Sequence, residues 1–256
     1  MIGSVALALG MFLAMFIFME VGRRVGISRL KNDPEGFQKG IGTVEGAIFG
    51  LLGLLIAFTF SGAASRFEDR RWLITEETNN IGTAYLRIGL LATEDQPKMK
   101  ALFREYLDSR IATYKKVPDM AAVKAEYNNS VRLQQEIWDF SLVAGKNPNA
   151  MPDAIKLMTP SLNDMIDITT TRLIAVETHP PIIIFGMLTV LSLISALLAG
   201  FGMAGSKNRS LLHMVAFAVM MPMIIYVIMD LEYPRLGFIR IDQADHVMME
   251  LRESMN

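Results

Sequence analysis

The sequence contains no cysteine. Disulfides, thiol catalysis and thiolate metal sites are excluded together, while the redox compartment stays open. There is no surplus of basic charge either: 25 Lys and Arg stand against 26 Asp and Glu, a net charge of −1. Nucleic acid is a poor partner for such a chain, because neutralising phosphates needs a clear excess of cations. HExxH, GxSxG, GxGxxG and Walker motifs are missing, so neither an enzyme nor a bound cofactor is expected. His179, His213 and His246 lie in separate segments without partner ligands at metal spacing, so no metal site is expected. Glu76 and Glu77 are neighbours on a helix and diverge by about 100°, too far for a catalytic dyad. Asp69 with Arg70, and Glu68 with Arg71, read as surface ion pairs.

Charge is also missing from four long stretches. Ile2 to Met19, Gly46 to Ser65, Pro180 to Ser206 and Ser210 to Met229 contain no Asp, Glu, Lys or Arg. The average composition, 52% hydrophobic and 20% charged, hides this segregation. Each stretch approaches the roughly 20 residues that a helix needs to cross a hydrocarbon core about 30 Å thick. The first has no basic n-region, and Glu20-Val-Gly-Arg-Arg24 follows it instead of a small-residue cleavage site. It therefore reads as a retained membrane helix rather than a secretory signal.

The expected fold class is all-α: four transmembrane helices with a helical soluble domain inserted between helices 2 and 3. Residues 1–65 would hold helices 1 and 2, residues 66–178 the soluble domain, residues 179–230 helices 3 and 4, and residues 231–256 a C-terminal tail. Helix 1 is expected to stop near Met19 and give way to a loop holding Arg23, Arg24, Arg29, Lys31 and Lys39. No proline interrupts Thr43 to Leu91. Apolar Phe67, Ile74, Ile81 and Ile88 continue the helix 2 pattern beyond Ser65. Helix 2 should therefore run on into the soluble part as one rod. Amphipathic helices follow over Lys98 to Lys116, Met120 to Val143 and Pro152 to Glu177, with a kink expected at Pro160. Pro180-Pro181 marks entry to helix 3. A short amphipathic segment surrounds Val247, Met248 and Leu251.

Basic residues in the two short loops (Arg23, Arg24, Arg29, Lys31, Lys39, Lys207 and Arg209) place those loops in the cytoplasm and the soluble domain outside. Arg66, Arg70 and Arg71, at the exit of helix 2, weigh on the other side.

Helix 2 carries the candidate functional face. Gly46, Gly50, Gly53, Ala57, Ser61 and Ala64 recur at spacings of 4, 3, 4, 4 and 3 and share one side. Small residues in register let helices approach closely in lipid. The same surface can line a narrow axial passage in an oligomer. Helix 1 has a shorter version in Ala6, Gly10 and Ala14, read as helix packing. Glu45 at one end of helix 2, with Arg66 and Arg70 at the other, are candidate pore mouths. Their opposite signs leave ion preference open.

The segment Leu51-Leu-Gly-Leu-Leu-Ile-Ala-Phe-Thr-Phe-Ser-Gly-Ala-Ala-Ser-Arg-Phe-Glu-Asp-Arg-Arg-Trp72, with Asn79-Asn-Ile-Gly-Thr-Ala-Tyr-Leu86, resembles the bestrophin-like family of bacterial membrane proteins. The tail, Asp230-Leu-Glu-Tyr-Pro-Arg-Leu-Gly-Phe-Ile-Arg-Ile-Asp-Gln243, resembles that family's second signature, with Asp230, Pro234, Arg235, Gly237, Arg240, Asp242 and Gln243 as its marked residues. The more distant resemblance is to bestrophin channels, whose second membrane helix leads into Phe-x-x-Asn-x-x-Tyr-x-Arg-Trp. Phe58, Phe67, Arg70 or Arg71, and Trp72 are the nearest equivalents, and the Asn and Tyr are unmatched. That resemblance implies an oligomeric ion channel, a pentamer with helix 2 around its axis, in a bacterial inner membrane, with the soluble domain in the cytoplasm. It opposes the charge bias on the last point. The acidic calcium clasp of animal bestrophins has no counterpart, since Asp230, Glu232, Asp242 and Asp245 are scattered. The alternative function is a non-conducting scaffold or sensor whose helical domain binds a partner.

Overall fold

A computed structural model describes residues 2–33, 41–205 and 211–255. Among them there is no strand. Eight α-helices follow in order: α1 Ile2–Asn32, α2 Ile41–Leu86, α3 Gln96–Lys115, α4 Met120–Ala144, α5 Ala154–Glu177, α6 Ile182–Gly202, α7 Leu211–Glu232 and α8 His246–Ser254. Four helical stretches are long and apolar enough to cross a membrane; α1, α2, α6 and α7 supply them. The chain forms two compact units, one of residues 1–66 and 179–239, the other of residues 67–178 and 240–256. The C-terminal tail is therefore shared between them.

The first unit is held by a methionine-rich core. Met11, Met15 and Met19 repeat every fourth residue along α1 and are buried with Leu188 and Ala196 of α6 and Met214, Ala218 and Ile225 of α7. Leu55 and Ile56 of α2 pack against this cluster. The closest crossing joins α1 to α6. A Cβ added at Gly22 would stand 1.9 Å from the Leu197 carbonyl oxygen, and one at Gly200 would stand 1.9 Å from that of Met19. The two backbones therefore touch, and only glycine permits it. The expected packing face of helix 1, Ala6, Gly10 and Ala14, is not the one used: nothing lies within 4 Å of a Cβ built on Gly10. Small residues are necessary for close approach, but a buried stripe is also needed, and on α1 that stripe runs through Met11, Met15 and Met19.

Helix 1 also continues well past Met19. Arg23, Arg24, Arg29 and Lys31 sit on α1, not in a loop. Arg24 pairs with Glu20 one turn earlier at 2.9 Å, a pairing that favours helix over coil. Lys39, Lys207 and Arg209, which share in the charge bias, lie outside the described residues.

The second unit is a helical bundle around one apolar core. Ile74, Ile81, Ala84 and Ile88 face Met99, Phe103, Tyr106 and Leu107 of α3, Leu133 and Ile137 of α4, and Met158, Leu162 and Met165 of α5. As the uninterrupted sequence predicts, α2 is a single helix of 46 residues. It ends in a 3-10 turn, Arg87–Leu90. Asp119 caps α4 by accepting from the Ala121 and Ala122 amides, satisfying donors left free in the first turn. Pro160 lies inside α5. Pro181 stands immediately before α6, where its missing amide costs no helical hydrogen bond. From the tail, Ile241, Met248 and Met255 enter this same core.

Candidate functional site

Helix α2 presents an unoccupied face within the first unit. Gly46, Gly50 and Gly53 have nothing within 4 Å of an added Cβ. Ala57 and Ser61 are exposed, and Ala64 is half-buried. The side that packs is different: Leu52, Thr59 and Ala63 are buried. Leu51, Leu54 and Phe58 are exposed beside the glycines, so α2 keeps both bulky and small residues on a side that no other described residue covers near Gly46, Gly50 and Gly53.

The residues flanking this face are arranged differently from one another. Glu45 does not lie along the glycine face: its carboxylate oxygens come within 3.6 and 3.7 Å of a Cβ built on Gly202, at the end of α6. At the other end, Arg66 is engaged. Its Nε donates to Glu232 Oε1 at 2.9 Å, and the Glu232 side chain is completely buried. His179 Nδ1 stands 3.4 Å from the second Glu232 oxygen, and its ring stacks on Tyr233 with centroids 4.5 Å apart. One carboxylate thus joins the end of α2, the end of α7 and the approach to α6. The Asp69–Arg70 surface pair is not formed. Arg70 is buried in the second unit and donates to the Ala175 and Thr178 carbonyls at 3.0 and 2.9 Å. Glu68 and Arg71 do pair, at 3.0 Å on the surface.

The tail signature makes a compact turn. Asp230 is buried and accepts from the Phe238 and Ile239 amides at 2.9 and 2.7 Å. Tyr226 donates its hydroxyl to the other oxygen at 3.3 Å. The turn must close tightly over this carboxylate: a Cβ on Gly237 would fall 1.3 Å from Asp230 Oδ1. Pro234 is buried beside it, Arg235 is half-buried and Gln243 is exposed. Arg240 pairs with Asp242, two residues along, at 2.5 Å, and not with a distant carboxylate. Arg252 of α8 pairs with Asp108 of α3, Nε to Oδ1 at 2.8 Å. Among the described residues, no three His, Cys, Asp or Glu side chains converge as a metal site.

Sequence reasoning missed a charged node in the second unit. Glu77 is fully buried on α2 and receives Arg110 Nε from α3 at 2.5 Å. Arg172 Nη1 from α5 donates to its other oxygen. Burial alone would raise the Glu77 carboxyl, but the two guanidinium charges and their hydrogen bonds outweigh it and hold it down at about 2. Tyr114 covers the Arg172 guanidinium, with 4.2 Å from ring centroid to Cζ. The periodicity held a clue. Phe67, Ile74, Ile81 and Ile88 mark one core position of a seven-residue pattern, and Arg70, Glu77 and Ala84 occupy the other. Charged residues at such a position are buried in register with the core.

Over residues 3–245 the sequence matches the bestrophin-like domain. The chain belongs to the bestrophin-like family. Two crystal structures of point mutants of a bacterial bestrophin homologue from Klebsiella pneumoniae share its fold. One has a TM-score of 0.72 at 11% identity, covering 95% of this chain and 98% of the other. The second has a TM-score of 0.69 at 12% identity, covering 94% and 97%. Among curated proteins, none matches the sequence. The likeness therefore fixes the bestrophin-like fold, while the residues on it are largely this chain's own.

Proposed function

We propose that this chain is the subunit of a homo-oligomeric, bestrophin-like ion channel in a bacterial inner membrane, and that α2 surrounds its axis. The observation that carries this reading is the uncovered face of Gly46, Gly50, Gly53, Ala57 and Ser61. In lipid, no hydrophobic force draws helices together, so a small-residue face is useful for close contact with another protein surface or for leaving space between helices. Symmetry supplies both: copies arranged in a ring bring α2 to one axis. A pentamer is the number that the family suggests. The second unit is then a helical domain outside the bilayer, inserted between the second and third crossings. The chain acts as a passive conduit and not as an enzyme, and it needs no cofactor.

The test uses the absence of native cysteine. Ser61→Cys should react with a water-soluble thiol reagent, and the reaction should block current through the purified protein in planar bilayers. A protein that conducts while its Cys variant at 61 remains inert would move the pore to another helix. A reactive thiol without any current would favour a non-conducting scaffold with a wet groove.

A further inference from the structure

The Glu77 node is one negative charge short. Two guanidinium groups, Arg110 and Arg172, meet a single carboxylate, and all three side chains are at most 4% exposed. No second carboxylate contacts either arginine among the described residues. Burial of unbalanced charge is costly unless a counter-charge or hydrogen-bond acceptor accompanies it. The acceptors are also too few. Arg110 Nη1 is buried and has no hydrogen-bond partner. Arg172 uses Nη1 for Glu77 and for a long contact of 3.9 Å with Met248 Sδ; its Nε and Nη2 bond to no acceptor among the described residues. Arg110 Nη2 donates to Glu77 Oε2 at 3.3 Å and to the Tyr114 hydroxyl at 3.1 Å, and the aromatic faces of Tyr114 and Tyr127 lie 5.4 and 5.9 Å from Arg110 Cζ. They offer the cations a weak partner but carry no charge.

We propose that this node binds a small monovalent anion of the halide class at the remaining edge of the Arg172 guanidinium. A halide supplies the missing charge and accepts several N–H donors without directional demands. Arg172 is the point of entry, because it retains slight exposure, whereas Arg110 and Glu77 have none. The site lies in the helical unit, so its occupancy bears on how firmly α2, α3 and α5 are clamped, whether or not the chain conducts.

The charge count gives variants opposite predictions. In detergent at constant ionic strength, replacing sodium gluconate by sodium chloride should raise the wild-type melting temperature saturably, by on the order of 3–6 °C. Bromide should act like chloride. Arg172→Gln leaves a neutral Glu77–Arg110 pair and should lose the difference between chloride and gluconate. Glu77→Gln leaves two unopposed cations and should depend on chloride more steeply than the wild type. If either variant fails to fold, bromide anomalous scattering from wild-type crystals provides the direct test, with a peak expected within hydrogen-bonding distance of Arg172. A wild-type melting temperature that follows ionic strength whatever the anion overturns the proposal. So does an Arg172→Gln protein that keeps the chloride effect, or saturating bromide with no peak at the node.

Discussion

Glu77 and Arg110 lie 2.5 Å apart with no exposure of either side chain. Truncating one partner of a buried ion pair leaves the other charge without compensation, at a cost of about 3–5 kcal/mol. Glu77→Ala should therefore lower the melting temperature of the purified protein far more than Glu68→Ala. The latter removes only half of an exposed surface pair, which contributes about 0–1 kcal/mol. Equal losses in the two variants would show that the buried node adds nothing special.

The same node predicts an acid limit. Its carboxyl is held near 2 in the folded protein against an ordinary value of 4.5. A group whose folded value is depressed adds stability above its unfolded value, and that stability is lost as pH falls toward the folded one. The loss should fall between about pH 5 and pH 2. Melting temperature measured across that window should drop, and the part of the drop owed to Glu77 should be missing from Glu77→Gln. A variant with the same acid profile as the wild type would place the titrating groups elsewhere.

The α1–α6 crossing separates two glycines that look alike in sequence. Gly22→Ala forces a methyl against the Leu197 backbone, whereas Gly10→Ala enters open space. Overpacking costs about 1–3 kcal/mol, and backbone atoms yield less readily than side chains. Gly22→Ala should lower thermal stability in detergent clearly, and Gly10→Ala should leave it within error. If the order is reversed, α1 and α6 do not touch at Gly22.

What the sequence made legible followed from rules with few exceptions. Uncharged stretches and the missing prolines foretold the apolar helices and the long, unbroken α2. The end of α1 was not legible in the same way. Arg23, Arg24 and Lys31 signal departure from hydrocarbon, but a helix can leave the bilayer without unwinding, since its backbone is already hydrogen-bonded. The glycine crossing at Gly22 and Gly200 depends on which stripes meet, and that is a tertiary fact. The Glu77 node was hidden for a related reason. Adjacent Glu76 and Glu77 look equally solvated until Arg110 and Arg172 arrive from helices 33 and 95 residues away.

The tail is expected to be required for a stable fold. Truncation after Asp230 removes the turn that its carboxylate caps, and it removes Ile241, Met248 and Met255 from the core of the second unit. Burial of side chains of this size contributes about 1.5–3 kcal/mol each. The truncated protein should melt lower or fail to purify as a single species. Gly237→Ala, which drives a methyl into Asp230, should reproduce part of that loss. An unchanged oligomer size and melting temperature after truncation would make the tail dispensable.

Sidedness can be read from fusions at Gly145, in the helical unit. The resemblance to bestrophin channels implies the cytoplasm for this unit, against the bias of the short-loop cations. Arg66 and Arg70, which looked like free charges at the exit of helix 2, are bound to Glu232 and to backbone carbonyls. They still count as cations during insertion. A fluorescent-protein fusion at Gly145 should therefore glow and an alkaline-phosphatase fusion there should be inactive. The opposite pair of results would return the decision to Arg23, Arg24, Arg29 and Lys31.

The open face of α2 makes the sharpest distinction between fold and assembly. Among the described residues, nothing beyond the helix's own adjoining backbone lies within 4 Å of a Cβ on Gly50, so Gly50→Leu meets no obstacle among them. It also replaces glycine by a better helix former, which favours α2 itself by several tenths of a kcal/mol, roughly. Any harm must then come from a surface that the subunit does not contain. If copies meet at α2, the added side chain holds backbones apart or fills the lumen. Helix content should be preserved, while the oligomer on a sizing column shifts or the current in planar bilayers falls. Leu51→Ile, at an exposed position beside it, should change neither, because lipid accepts both side chains. Leu52→Ala, at a buried position, should do the reverse of Gly50→Leu: weaken the subunit by about 2–5 kcal/mol without a specific effect on conduction. A Gly50→Leu protein with unchanged assembly and unchanged current would leave the face toward lipid and take α2 away from the axis.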